Sequence, residues 1–224
     1  MTKEEFKKKI LAEIASLLIG LNYTRDKSRA SFVKNTEACK IRIAYEATSS
    51  GYPKNIVSIN VLVFIDLPEI NNIGHQIFSA PAVNPATLWG NIRLFTPANS
   101  NMNTSYYFDL LQDFKIQLER LIKDLKIFDG FASKINHISA LSNEKLSKVP
   151  LLRKNFEGGL GWDYKYGCPQ YISIIHALNK EFTDARVCAE RSSHLTSSEK
   201  SSLDKFIDEK IAHANDSAAA VLHK

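Results

Sequence analysis

Two stretches of strict alternation constrain this chain more than any other feature. From Cys39 to Glu46, the residues Cys39, Ile41, Ile43 and Tyr45 alternate with Lys40, Arg42, Ala44 and Glu46. From Val57 to Ile65, the residues Val57, Ile59, Val61, Val63 and Ile65 repeat the pattern. Successive side chains on a strand point to opposite faces, so a period of two gives one face that demands burial and one that can meet water. Ser49 to Asn55, with Gly51 and Pro53, reads as a loop between the runs. The runs are therefore expected to pair antiparallel, with both apolar sets on the same side. A slip of one residue would turn Lys40 and Arg42 into the core. Ala30 to Lys34 is a shorter candidate strand, and Asn91 to Thr96 another.

An apolar sheet face needs cover, and helical periodicity supplies two candidates. Residues 3–21 carry Phe6, Ile10, Ile14, Leu17, Leu18 and Leu21 at helical spacing, with Gly20 and Asn22 near the C-terminal end. Residues 105–127 carry Tyr107, Leu110, Leu111, Phe114, Leu118, Leu121, Ile122 and Leu125, a wide apolar stripe that predicts a long helix across the sheet, ended by Gly130. Leu67 to Phe78 is ambiguous. Pro68 suits a helix start and Gly74 argues against a helix interior. Two helices are expected to close the chain. One opens at Pro169 with Tyr171, Ile174, Ile175, Leu178 and Phe182 on one stripe. The other opens on the capping box Thr196-Ser197-Ser198-Glu199 and runs through Leu203, Phe206, Ile207 and Ile211. The Ala- and Ser-rich tail from Asp216 is expected to fray.

These elements predict an α+β protein: an N-terminal helix, an antiparallel sheet of about four strands, a long helix packed on it, and a helical C-terminal section. The expected division is a sheet domain over residues 1–130 and a mainly helical section over residues 131–224, packed on the same core. No apolar run approaches the length of a membrane span, and the stretch after Lys9 is broken by Glu13, unlike a secretory leader. The three cysteines, Cys39, Cys168 and Cys188, have no close spacing and read as reduced thiols of a cytoplasmic protein.

The net charge of +5 is unevenly spread. Residues 1–65 hold 11 basic against 6 acidic side chains, residues 66–130 hold 5 against 7, and residues 131–224 hold 13 against 11. A basic N-terminal third draws anionic partners through its long-range field.

Catalytic constellations are scarce. No nucleophile elbow, phosphate-binding glycine loop or dinucleotide fingerprint occurs. The six histidines stand at no metal-ligand spacing with one another or with the cysteines, so no metal or other cofactor is expected. Asp163-Tyr164-Lys165 has the acid-x-Lys form of a metal-dependent nuclease, in which the acid holds a divalent cation and the lysine stabilises phosphate charge. Its glycine-rich surroundings place it on a loop instead of the strand such motifs occupy. The segment Phe156 to Cys168 stands out on other grounds. Its aromatics Phe156, Trp162, Tyr164 and Tyr166 are interleaved with glycines and Lys165. Aromatic side chains offer large contact area with few rotatable bonds, so Trp162, Tyr164, Lys165 and Tyr166 are the candidate binding residues. Equally, these rings can fold back as a lid over the core.

The order of features in the first 65 residues resembles a bacterial family of α+β domains of unknown function sometimes encoded near toxin–immunity systems. The similarity is carried by the helix with Phe6 and Leu17, then Gly20-Leu21-Asn22-Tyr23, Ser31-Phe32-Val33-Lys34, Ile41-Arg42-Ile43 and Val57 to Val63. The resemblance implies a non-enzymatic binding role and no catalytic residue. The leading expectation is a protein-interaction module of the immunity or accessory kind whose partner is another protein. A nucleic-acid-binding protein using the basic N-terminal third and a metal-dependent nuclease using Asp163 and Lys165 are the alternatives.

Overall fold

A computed structural model describes residues 1–27, 31–48, 50–78, 88–92, 105–142, 169–192 and 195–222. The protein is α+β, as its periodicities predict. Helix α1 (Lys3–Gly20) opens on a capping box in which Thr2 and Glu5 satisfy each other's backbone N–H groups. It closes with Asn22 at φ 66°, the Asn22 N–H donating to the Ile19 carbonyl and the Tyr23 N–H to the Leu18 carbonyl. This double bond consumes carbonyls the helix end leaves open, and asparagine tolerates the left-handed conformation it needs.

The sheet has six strands among the described residues: β1 (Thr24–Asp26), β2 (Ser31–Asn35), β3 (Lys40–Thr48), β4 (Ile56–Asp66), β5 (Leu88–Asn91) and β6 (Ser105–Asp109). All pairings are antiparallel, in the order β1-β2-β3-β4-β5, with β6 joining β4 beside its first half. The long central β4 thus pairs β3 on one edge and both β5 and β6 on the other. The register is the one the alternation requires. Ile41 faces Ile65, Ile43 faces Val63 and Tyr45 faces Val61, while Arg42 faces Phe64. Ile41, Ile43, Val57, Ile59, Val61, Val63 and Ile65 are all buried.

Helix α3 (Phe114–Ala132) covers that face beside α1. The ring of Phe6 meets that of Phe114 edge-on at 5.7 Å, and the Lys9 ammonium lies 4.4 Å from the centre of the Phe114 ring. Beyond the end of α1, Tyr23 neighbours Asp129 near the end of α3, so the two helices run parallel. The predicted helix over 105–127 is therefore corrected at both ends. Residues 105–109 form a strand, and the helix begins only after Asp113, whose carboxylate accepts from the Lys115 N–H. Tyr106, Tyr107 and Phe108 are good strand formers, and pairing with β4 overrides a helical stripe that Tyr107 extended by coincidence. At the far end the helix passes through Gly130 to Ala132, because the buried Phe128 and Ala132 hold the last turn on the core.

On the opposite face, Arg42, Phe64 and Trp89 are register partners across β3, β4 and β5. The Arg42 guanidinium lies 4.1 Å from the Phe64 ring centre, and Phe64 stacks on Trp89 at 6.2 Å with 12° between the planes. The row gives this face cross-strand contacts of its own.

Helix α2 (Pro68–Ile77) resolves the ambiguous segment. Gly74 faces Tyr171 so closely that a Cβ there would overlap the ring, and Phe78 meets the same ring edge-on at 5.7 Å. The glycine is thus a packing residue of α2, not a break. Tyr171 belongs to α4 (Pro169–Leu178), in which every residue from Gln170 to Ala177 is buried. Helix α4 packs against α2, α5 (Phe182–Arg191) and α6 (Ser197–Leu222). The single stripe expected from Tyr171 to Phe182 is broken: Lys180 has φ 62°, and Phe182 starts a separate helix. The capping box of α6 forms as expected, with Glu199 accepting from the Thr196 N–H at 2.9 Å. That helix is assigned to Leu222, and Ala218, Ala219 and Ala220 are good helix formers.

Ile43→Ala is expected to destabilise the protein by about 2–4 kcal/mol in urea unfolding, as for a fully buried core side chain. Gly74→Ala is expected to destabilise by about 1–3 kcal/mol despite alanine's better helix propensity, because the added methyl overpacks against Tyr171. A more stable Gly74→Ala protein would contradict the packing described here.

Candidate functional site

The candidate site lies on the solvent side of α3, and it exists because of what happens on the inner side. Within α3 the acids are Glu119, Asp124 and Asp129, and the cations are Lys115, Arg120, Lys123 and Lys126. Asp124 is buried and accepts a 2.6 Å hydrogen bond from the Tyr106 hydroxyl of β6. Asp129 accepts a 2.8 Å bond from the Lys34 ammonium of β2, which also donates to the Ser133 hydroxyl at 3.1 Å. The Tyr23 hydroxyl is buried close to the same carboxylate and has no hydrogen-bond partner of good geometry. Burial first, and the charge of Asp129 second, hold that phenol well above its ordinary range.

Two of the three α3 acids are thereby committed to the sheet. All four cations are exposed, with Glu119 the one exposed carboxylate of the helix. Helical spacing arranges them in two adjacent rows, Lys115-Glu119-Lys126 and Ile116-Arg120-Lys123. Arg120 and Lys123, and again Lys123 and Lys126, are like charges three residues apart, which weakens a helix by about 0.2–0.5 kcal/mol per pair. The last turn contains no cation and the first turn no acid. Apart from the Asp113 cap, the four cations are therefore not placed to complement the helix dipole, and Lys115 in the first turn opposes it.

At the N-terminal end of this face stand two exposed apolar side chains. Leu111, in the turn from β6, is 82% exposed, and Ile116 is 68% exposed. The turn that presents them is well ordered by hydrogen bonds. The Gln117 amide accepts from the Asp109 N–H and donates to the Asp109 carbonyl at 2.9 Å, and the Asp109 carboxylate accepts from the Leu111 N–H at 2.9 Å.

The binding residues expected from sequence, Trp162, Tyr164, Lys165 and Tyr166, lie outside the described residues, as do Asp163 and the glycines around it. The basic N-terminal third behaves differently from its charge count. Lys34 is bound to Asp129, Arg42 stacks on Phe64, Lys9 lies over Phe114, and the Lys3 ammonium donates to the Pro53 carbonyl at 3.0 Å. Sequence reasoning misses the α3 face because it starts the helix nine residues early, which puts Leu111 on the inner stripe. Ile116 did carry a signal: with Ile127 it is an aliphatic residue of 105–127 that the predicted stripe leaves out.

Other chemistry-bearing groups are held within the fold. His176 is buried, its Nδ1 lying 2.7 Å from the Glu181 carboxylate across the α4–α5 turn. Among the described residues no three His, Cys, Asp or Glu side chains converge as metal ligands, and no helix is long and apolar enough to cross a membrane. Cys39 and Cys188 are buried free thiols. Burial pushes the Cys188 thiol up to about 11, against a smaller opposing pull from Arg191. Cys39 is also raised by burial, partly offset by its hydrogen bond with Thr36. Both should stay protonated near neutral pH, since only the thiolate is nucleophilic. In a Cys168→Ser background, Ellman's reagent at about pH 8 is expected to label neither thiol quickly in the native protein and both after unfolding. Rapid native labelling would show a reactive cysteine. Comparisons with protein-family models, with curated proteins and with solved structures return no match.

Proposed function

We propose that this protein is a non-enzymatic interaction module that binds another protein through the α3 face. The observation that carries the reading is the pair Leu111 and Ile116, large apolar side chains exposed at the start of one capped helix. Single exposed apolar residues are ordinary, but two within five residues of each other, at the N-terminal end of a helix whose outer rows are cationic, are the kind of side chain that protein interfaces bury at their centre. The turn is fixed by Gln117 and Asp109, so little ordering entropy is lost when a partner covers it. This agrees with the binding role that the N-terminal resemblance implies.

The test is a double substitution, Leu111→Ser with Ile116→Ser, in tagged protein purified from its native host. Stability is expected to change by less than about 0.5 kcal/mol, as at an exposed surface. Recovery of the co-purifying partner is expected to fall by about tenfold or more, the loss of a small hot spot. A partner retained at wild-type yield overturns the proposal, and so does a large loss of stability, which would mean the two side chains serve the core.

A further inference from the structure

Resting on the protein-binding reading, we infer that the segment bound by α3 is acidic and carries an apolar anchor at one end. The first support is the sorting of charge around the helix. Asp124 and Asp129 are turned to Tyr106 and Lys34, while Lys115, Arg120, Lys123 and Lys126 face solvent. No ion pair joins these four cations to another described residue. Glu119, four residues from both Lys115 and Lys123, is the one exposed carboxylate of the helix against four cations, and the helix dipole does not account for them, so the net attraction of the face is directed outward.

The second support is the order of groups along the face. Leu111 and Ile116 stand at the start of α3, and Arg120 and Lys123 follow Ile116 on the same row at i+4 and i+7. At about 1.5 Å per residue, Lys123 lies roughly 10 Å and Lys126 roughly 15 Å along the axis from Ile116. A complementary segment places its apolar side chain over Leu111 and Ile116, and its carboxylates one to three helical turns away. This polarity separates a protein segment from a nucleic acid. Phosphate contacts are made by polar and charged groups and use no exposed isoleucine, whereas an apolar centre with a charged rim is a protein interface.

The inference is tested with the full chain and three labelled probes in fluorescence anisotropy: an alanine-based helical peptide with leucines at one end and glutamates along the same face, the same peptide with its leucines replaced by serine, and a mixed-sequence duplex DNA. The first peptide is expected to bind best. Its affinity should fall by about tenfold or more between about 50 and about 500 mM salt, because the pairing charges are exposed and screened. Arg120→Glu with Lys123→Glu should cause a similar fall at low salt, with an unchanged melting curve, and the serine peptide should bind more weakly than the leucine peptide. Failure of the first peptide to bind, salt-independent binding, or tighter binding of the DNA each overturns the inference. The two readings separate on the native partner. Capture that depends on Leu111 and Ile116 but ignores Arg120→Glu with Lys123→Glu keeps the interaction module and removes the acidic segment. Capture that ignores all four substitutions removes both.

Discussion

The rotation of α3 about its own axis is the constraint from which the rest of this structure follows. Leu118, Leu121, Leu125 and Phe128 must meet the apolar face of the sheet, but an apolar stripe alone tolerates some rotation. Two carboxylates remove that freedom. Asp124 is held by Tyr106 on β6 and Asp129 by Lys34 on β2, at two separate places on the sheet. A helix fixed at two points by charge-assisted hydrogen bonds cannot turn without leaving a buried carboxylate unpaired, and that loss exceeds what small changes in packing return. The outward presentation of Lys115, Ile116, Arg120, Lys123 and Lys126 is the other side of the same constraint.

The same interactions explain why net charge by segment misled. Residues 66–130 carry more acid than base, yet they contain the most basic exposed helix face among the described residues, because the acids of α3 are spent against the sheet. Residues 1–65 carry the largest surplus of base, yet Lys34, Arg42, Lys9 and Lys3 have partners within the fold. A charge count sees neither burial nor pairing. The field a partner meets is set by the residual charge on each face, which only the packing decides.

How much was legible follows from how local each signal is. The register of β3 on β4 was readable because a one-residue slip would bury Lys40 and Arg42, so the alternation admits one answer. The α6 capping box was readable because its chemistry is contained in four residues. Strand β6 was not, because Tyr107 falls in helical spacing with Leu110, Leu111 and Phe114, and the choice of strand was made by the far edge of β4. The break between α4 and α5 was hidden for a related reason. The left-handed position is taken by Lys180 and not by the neighbouring Asn179, and the turn is held by the Glu181 N–H on the His176 carbonyl and by the His176–Glu181 contact. Gly74 could be read only as a flaw in α2 until Tyr171, some hundred residues away in sequence, supplied the reason for it.

The candidate site was hidden by one such error and exposed by its correction. Starting α3 at 105 makes Leu111 an inner residue and leaves Ile116 among the apolar residues off the stripe. Starting it after Asp113 places Leu111 in a turn, Ile116 on the outer row and Arg120 and Lys123 beneath it. The strand assignment of 105–109 and the interaction surface are then one finding. The pairing of Tyr106 and Phe108 with β4 ends β6 at Asp109, Gln117 closes the turn onto Asp109, and the short connection that results has no room to fold Leu111 back under the helix. Leu111 is exposed because the sheet, not the helix, claims the residues before it.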